Sequence, residues 1–570
     1  MVDMPMKSSD SNRARIGRMI LFGPLMLTLA LLCGCAAGGG KRLHATPKWT
    51  RFDHTLVSST DYTNAVQEVA VKVTFTSPSG VARVVDAFWD GGRTWRVRTL
   101  PGEMGLWKFT TSCSDPRNRG LHRRRGTFLC TAALDRTFLQ QHGPVQVARN
   151  GRYLAHEDGT PFFWLGDTAW NGPLLSKAED WDQYAILRSM QGYSVVQWVT
   201  TQWRAAPEGD ALGMKAYSGR ERIDINPAFF QRLDARADAL TRAGVVNAPV
   251  LLWAINGGAN PGINPGVSLP EDQAVLLARY MVARWGGNPC VWILAGDGNY
   301  QGAQAEKWKR IGRAVFGDQV HAPVVMHPGG MQWIYNEFKD EAWMDILGYQ
   351  SGHGDDEATL KWLWAGPPAQ GWKAGPGKPF INLEPPYEDH VAYQSRERIS
   401  AQTTRRAVWW SLLVAPTAGV TYGGHGIWGW DDGTKEPTDH AGTGVPKPWH
   451  KALFLPGGQQ MSHVAALMRF VGFEELQPAP ELLAKQPGTE SAQRFIAAAA
   501  SPAKDLAVIY VPEDRQLVLN RQVLPAQPVM RWFNPRSGEW QDAAAVAENQ
   551  QLTCTTPTEG DWVLVIKGRP

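Results

Sequence analysis

The stretch Val291–Tyr300, VWILAGDGNY, decides how this chain is read. Four apolar residues, Val291 to Leu294, end abruptly in Ala295-Gly296-Asp297-Gly298-Asn299. A short, wholly apolar run of this kind fits a strand buried on both faces. Here the strand delivers a carboxylate, Asp297, between two glycines that would let the backbone turn sharply. Seven more runs share the pattern: FFWLGD from Phe162, YSVVQWV from Tyr193, VNAPVLLW from Val246, APVVMHP from Ala322, MDILGYQSGH from Met344, KPFINLEP from Lys378 and TAGVTYGG from Thr417. Helical signals lie between them. Ser176 to Glu179 reads as a capping box. Asn226-Pro227 offers an N-cap with proline at the first helical position. Phe230, Leu233, Ala237 and Leu240 follow at helical spacing, and Gly244 supplies the stop. Another helix runs from about Glu271 to Ala283. Eight β runs alternating with helices over 135–477 predict a (β/α)8 barrel. An open doubly wound sheet is the rival, but no G-x-G-x-x-G follows a first strand and no P-loop occurs.

Outward from the barrel the pattern changes. Residues 49–134 alternate apolar and polar, as in EVAVKVTFTSPSG from Glu68 and TWRVRTL from Thr94, with a turn at Asp90–Gly92; this predicts a small β-sandwich. A Pro- and Gln-rich linker is expected over 478–490. A second sandwich follows over 491–570, carried by LAVIYVP, QLVLN, VMRWFNPRSGEW and DWVLVI. The fold class is therefore multidomain α/β, with a central barrel flanked by N-terminal and C-terminal β-sandwiches.

The N-terminus reads as an export signal. Lys7, Arg13, Arg15 and Arg18 precede the apolar stretch Met19–Leu32. Leu32-Cys33-Gly34-Cys35 resembles the bacterial lipobox, which implies a signal over 1–35, lipidation of Cys35, and a tether over 36–48. Ala36 at the following position implies the outer membrane, on its periplasmic or surface face. Export permits disulfides, and Cys113 and Cys130, each ending a strand-like run, are candidates to bridge a hairpin. Cys290 and Cys554 read as buried thiols. Apolar residues make up 43% of the chain and charged ones 20%, with a net charge of +4. That is globular composition, and it lacks the basic patch of a nucleic-acid partner. The one dense run, LHRRRG from Leu121, reads as a solvated hairpin tip.

In a (β/α)8 barrel, chemistry sits at the C-terminal ends of the strands. Asp297 lies beyond the fourth strand, and Glu384 ends the seventh, where Pro385 stops it. Glycosidic cleavage needs one protonated carboxyl to help the leaving oxygen depart and one ionised carboxyl to meet the anomeric carbon. Other strand ends carry groups suited to sugar hydroxyls and C–H faces: Asp167 and Trp170, Gln202 and Trp203, Asn256, His327, Gln350 and His353, Tyr422 and His425, then Trp428. Tryptophan is abundant, with 26 copies, and core packing must account for most of them. No histidine pair has metal-ligand spacing and no G-x-S-x-G occurs, so no metal and no other cofactor is expected.

The motifs PFFWLGDTAW, VWILAGD, GYQSGHG, INLEPPYED and GVTYGGHGIWGW together resemble the apiosidase-like glycoside hydrolases. FWDGGRTWRVRTLPGEMGLWKF resembles the β-sandwich that often precedes that barrel, and MRWFNPRSGEW the collagen-binding-type sandwich that often follows it. The resemblance implies a retaining glycosidase acting on a plant or microbial polysaccharide, with a pectic side chain as the substrate, Asp297 as acid/base and Glu384 as nucleophile. The alternative is a surface carbohydrate-binding lipoprotein whose barrel does not catalyse. Gly298-Asn299-Tyr300 departs from the family pattern, which often has another acidic residue there.

Overall fold

Each of the eight apolar runs forms a strand, and each strand is followed by a helix. The structure, a computed structural model, describes residues 43–317, 319–374 and 377–568. In chain order the barrel reads β1 Trp164–Thr168, α1 Ala178–Met190, β2 Val195–Val199, α2 Pro227–Arg242, β3 Val246–Trp253 and α3 Glu271–Trp285. It continues β4 Trp292–Gly298, α4 Ala303–Phe316, β5 Val324–Pro328, α5 Tyr335–Phe338, β6 Leu347–Gln350 and α6 Glu357–Ala365. It ends β7 Phe380–Glu384, α7 Ala401–Leu413, β8 Thr417–Tyr422 and α8 Pro456–Val471. The strands pair in the order β5-β4-β3-β2-β1-β8-β7-β6, and a parallel bridge from Val325 to Ile346 brings the two ends together. All these pairings are parallel. The strands are apolar almost throughout because both faces are covered, by barrel interior on one side and helices on the other.

Register shifts interrupt three of the ladders; one, at Phe380/Ile381, lies at the start of β7, and two lie at the C-terminal ends of strands. Of the latter two, one lies around Gly296, between β4 and β5; the other lies at Tyr349/Gln350, between β6 and β7. Bulges of this kind re-aim side chains, and these two fall where Asp297, Gln350 and Glu384 leave the barrel. The capping box predicted at Ser176 does not form. Helix α1 starts at Ala178 without a side-chain cap, and the Ser176 hydroxyl is buried without a partner.

The N-terminal sandwich sets a five-stranded sheet against a three-stranded one. Phe52, Phe75, Phe109 and Phe128 fill the space between them, with the Phe52 and Phe128 rings stacked at 3.9 Å. Its first strand, His44–Pro47, pairs with Arg125–Thr131, so this part of the expected tether is folded. Charged groups fix the sandwich to the barrel. Arg284 of α3 donates to Asp90 at 2.9 Å and to Asp234 of α2, while Arg98 bridges Asp53 and Asp234 at 2.8 Å. Removing one partner from such a buried set leaves an uncompensated charge, which costs more than the intact set contributes.

The disulfide expected between Cys113 and Cys130 is absent; both are free buried thiols. Register explains why. Cys130 lies opposite Gly105 at one end of the hairpin, whereas Cys113 ends the partner strand eight residues on, a separation of about 26 Å at strand rise. Bridging requires Cα atoms within roughly 7 Å.

The C-terminal sandwich packs a six-stranded sheet on a three-stranded one. The expected linker is part of it: Gln477–Pro478 pairs with Ala499 and Ala500, and Ala479 and Leu482 enter its core. This domain clasps α7, the helix behind β7. Arg405 makes a buried two-pronged contact with Asp561 at 2.8 and 2.9 Å, and the Trp409 ring stacks on Tyr510. The export signal and Cys35 lie outside the described residues.

Candidate active site

The opening stretch resolves into a specific device. Asp297, not either flanking glycine, takes the left-handed backbone conformation, with φ 45°. Such a φ costs a non-glycine residue free energy, and surrounding structure must hold it in place. The glycines serve packing instead. A Cβ at Gly296 would lie 2.6 Å from the Trp253 ring, and one at Gly298 would lie 2.7 Å from the Tyr300 hydroxyl. The side-chain space of both glycines is thus filled by aromatic rings, which fix the backbone on either side of the carboxylate.

Asp297 and Glu384 face one another closely enough for the charge of one to act on the other. Their surroundings drive them apart. Burial, then the Glu384 charge, pushes Asp297 up to about 7, against smaller opposing effects from Arg204, a hydrogen bond from Gln350 and the nearby His353. The Gln350 amide donates to Asp297 at 2.9 Å and to the Pro328 carbonyl at 2.9 Å, so β6 orients the end of β4. Burial would raise Glu384 as well. It is instead held below its ordinary value by a hydrogen bond from His353, by the nearby imidazoles of His353 and His327, and by the Tyr387 hydroxyl. The tautomer of His353 follows from its partners. The Tyr387 backbone N–H donates to Nδ1 at 3.2 Å, so the proton is on Nε2, which donates to Glu384 Oε1 at 3.0 Å. His327 Nε2 lies 3.5 Å from the other carboxylate oxygen. One carboxyl is therefore poised to hold a proton near neutrality and the other to stay ionised, the division of labour that glycosidic cleavage requires.

Around the pair, Trp170 packs edge-on to Trp253 and His327 at 5.3 and 5.4 Å and donates to the Tyr387 hydroxyl at 3.2 Å. Trp203 lies one layer deeper, against Trp253 at 4.5 Å and hydrogen-bonded to Asn171. Trp428 packs on His440 at 4.8 Å. These three tryptophans are buried, and so is Trp430, which stacks on Trp449. They form walls rather than open faces.

The structure moves four expected binding residues out of the site. Asp167 is wholly enclosed and points outward from β1, where Arg188 and Tyr184 of α1 bond it at 2.7 and 2.6 Å. Tyr422 donates to Glu388 at 2.7 Å, beneath the site. Gln202 is spent on backbone groups of Ala216 and Tyr217. His425 donates from Nε2 to the Gly444 carbonyl at 2.7 Å and accepts from Trp428, tying the loops after β8 together. Asn256 stands exposed on the loop after β3. Among the described residues, no three His, Cys, Asp or Glu side chains converge as a metal site would require.

Sequence reasoning missed Tyr387, Arg204 and Tyr393. Tyr387 and Tyr393 lie three and nine residues past Glu384, on the loop that β7 launches. Tyr393 is 55% exposed, yet its hydroxyl feels both Glu384 and Asp297. Arg204 donates to His440 at 2.7 Å and sends its charge toward Asp297. The signal available was their position in the loops just past strand ends.

Residues 148–475 match the family described as "Apiosidase-like, catalytic domain". Residues 45–114 match a "Domain of unknown function", and 478–567 match the "Putative collagen-binding domain of a collagenase". A solved structure titled "Glycoside hydrolase" is 22% identical with a TM-score of 0.65, covering 75% of this chain and 97% of that one. A glycoside hydrolase family 5 structure from Bacteroides vulgatus is 21% identical with a TM-score of 0.65, covering 76% and 95%. A third, titled "putative glycoside hydrolase" and also from Bacteroides vulgatus, is 18% identical with a TM-score of 0.66, covering 92% and 99%. No curated protein matches the sequence. At these identities the solved structures are a likeness of fold.

Proposed function

This chain belongs to the apiosidase-like catalytic-domain family and is a glycoside hydrolase; from that premise we propose that it cleaves its polysaccharide with retention of configuration, using Asp297 and Glu384. The observation that supports pairing these two carboxyls as acid and carboxylate is their opposed setting, Asp297 raised to about 7 and Glu384 lowered; retention is taken from the family resemblance. Protonated Asp297 donates to the departing glycosidic oxygen. Ionised Glu384, oriented by His353 and Tyr387, attacks the anomeric carbon and forms a glycosyl ester. Asp297, now deprotonated, takes a proton from water as that water attacks and releases Glu384. Gln350 holds Asp297 in place through both half-reactions. A pectic side chain is the substrate we favour, on the family's resemblance alone. The signal and lipobox residues support export and anchoring through a lipid on Cys35, with the outer membrane as destination.

The test is Glu384→Gln on any polysaccharide the wild-type protein cleaves. Turnover falls by several orders of magnitude when a nucleophile is lost; wild-type turnover in the variant overturns the assignment.

A further inference from the structure

A polar cavity of about 240 Å³ lies between the barrel mouth and the C-terminal sandwich. The barrel contributes Asp355 from the loop after β6, Glu397 from the loop after β7, and Thr403 and Arg406 from the start of α7; the sandwich contributes Gln493 and Glu513. Its wall is shared with the active site. Tyr393 donates through its backbone N–H to the His353 carbonyl, its hydroxyl feels Glu384 and Asp297, and its neighbour Ala392 lines the cavity. The loop that carries Ala392 and Tyr393 thus borders both the carboxyl pair and this cavity.

The charges there choose among sugars. Three carboxylates border the space. Arg398 holds Asp389 and the carbonyls of Asp389 and Val445, and Arg406 pairs with Glu513 at 3.1 Å with its Nε left over, so Asp355 and Glu397 are the carboxylates here that no cation meets among the described residues. Free hydrogen-bond acceptors thus outnumber free cations. That suits the hydroxyl donors of a neutral sugar and repels a uronate.

We propose that this cavity is a subsite for a neutral sugar residue of a bound polysaccharide, and that the C-terminal sandwich is part of the substrate-binding surface. The proposal rests on the glycoside hydrolase reading. It gives the C-terminal domain a role beyond bracing α7.

The test is affinity electrophoresis of the full chain through gels holding soluble neutral polysaccharides (galactan, arabinan, galactomannan, xyloglucan), with polygalacturonate as the charged control. At least one neutral polymer is expected to retard the wild-type protein. Thr403→Trp, which fills the cavity, is expected to weaken that binding about tenfold. Gln493→Ala, on an exposed side chain that the fold does not need, weakens it severalfold, and both variants are checked for unchanged melting. Retardation needs no turnover, so Glu384→Gln separates the two readings: it ends cleavage and keeps the cavity-dependent binding. The proposal is overturned if no neutral polymer retards the protein, if both cavity variants migrate as wild type, or if polygalacturonate is the polymer that depends on the cavity.

Discussion

Replacing Glu384 by Gln removes the negative charge that faces Asp297, and the titration of Asp297 reports the consequence directly. Two carboxyls placed for a retaining mechanism lie about 5.5 Å apart. At an effective dielectric of about 20 their repulsion is about 3 kcal/mol, or roughly two pH units of titration midpoint. Burial is the larger cause of the Asp297 shift and persists in the variant. The midpoint is therefore expected to fall from about 7 by roughly two pH units and still remain above that of an ordinary aspartate. Carboxyl carbon NMR on protein labelled at aspartate follows this without any substrate, with Asp297→Asn identifying the resonance. The reasoning fails if Asp297 already titrates as an ordinary aspartate in the wild type, or if Glu384→Gln leaves its midpoint unmoved. Activity carries the same signature. With Asp297 as the proton donor, turnover is lost as pH rises through about 7.

Three further outcomes follow from particular contacts. Asp167→Ala strips the wholly buried Arg188 of its partner and is expected to cost about 3–5 kcal/mol in urea unfolding, with the pattern of products unchanged because Asp167 does not reach the site. Gly296→Ala places a Cβ 2.6 Å from Trp253 and 2.7 Å from Val250; overpacking of about 1–3 kcal/mol is accompanied by lost turnover, since the backbone that must move carries Asp297. His425 and His440 are held neutral, first by burial, with values lowered to about 4. The unfolded chain binds their protons below about pH 6.5, so stability falls as pH drops from there through about 4, by about 3 kcal/mol for each histidine. His440→Gln should flatten that slope in melting curves taken from pH 7 to pH 4; an unchanged slope refutes it.

The barrel was legible because a strand covered on both faces has to be apolar along its whole length, and eight such runs stood out between helical patterns. The strand-end rule then named Asp297, Glu384, His327, Gln350 and His353, which the structure brings together at one end of the barrel. It failed at Asp167 and Tyr422 for one physical reason. A residue at a strand end faces either the barrel mouth or the helix layer, and periodicity alone does not say which. For Asp167 the missing clue was in the sequence: Tyr184 and Arg188 sit four apart on one face of α1 and wait for a carboxylate. The tryptophans misled in the same way. Composition gives their number, but Trp203 and Trp428 lie in walls that only the assembled loops create. The disulfide failed because two cysteines at strand ends say nothing of register, and register put them at opposite ends of the hairpin. The bulges beside Asp297 and Gln350 left no mark beyond the glycines.

The measurement that bears most directly on the central claim is the anomeric configuration of the first product, followed by proton NMR during cleavage of a polysaccharide substrate before mutarotation sets in. Attack by Glu384 followed by attack of an Asp297-activated water predicts a first product with the configuration of the bond that was cut. A first product of inverted configuration contradicts the nucleophile assigned to Glu384.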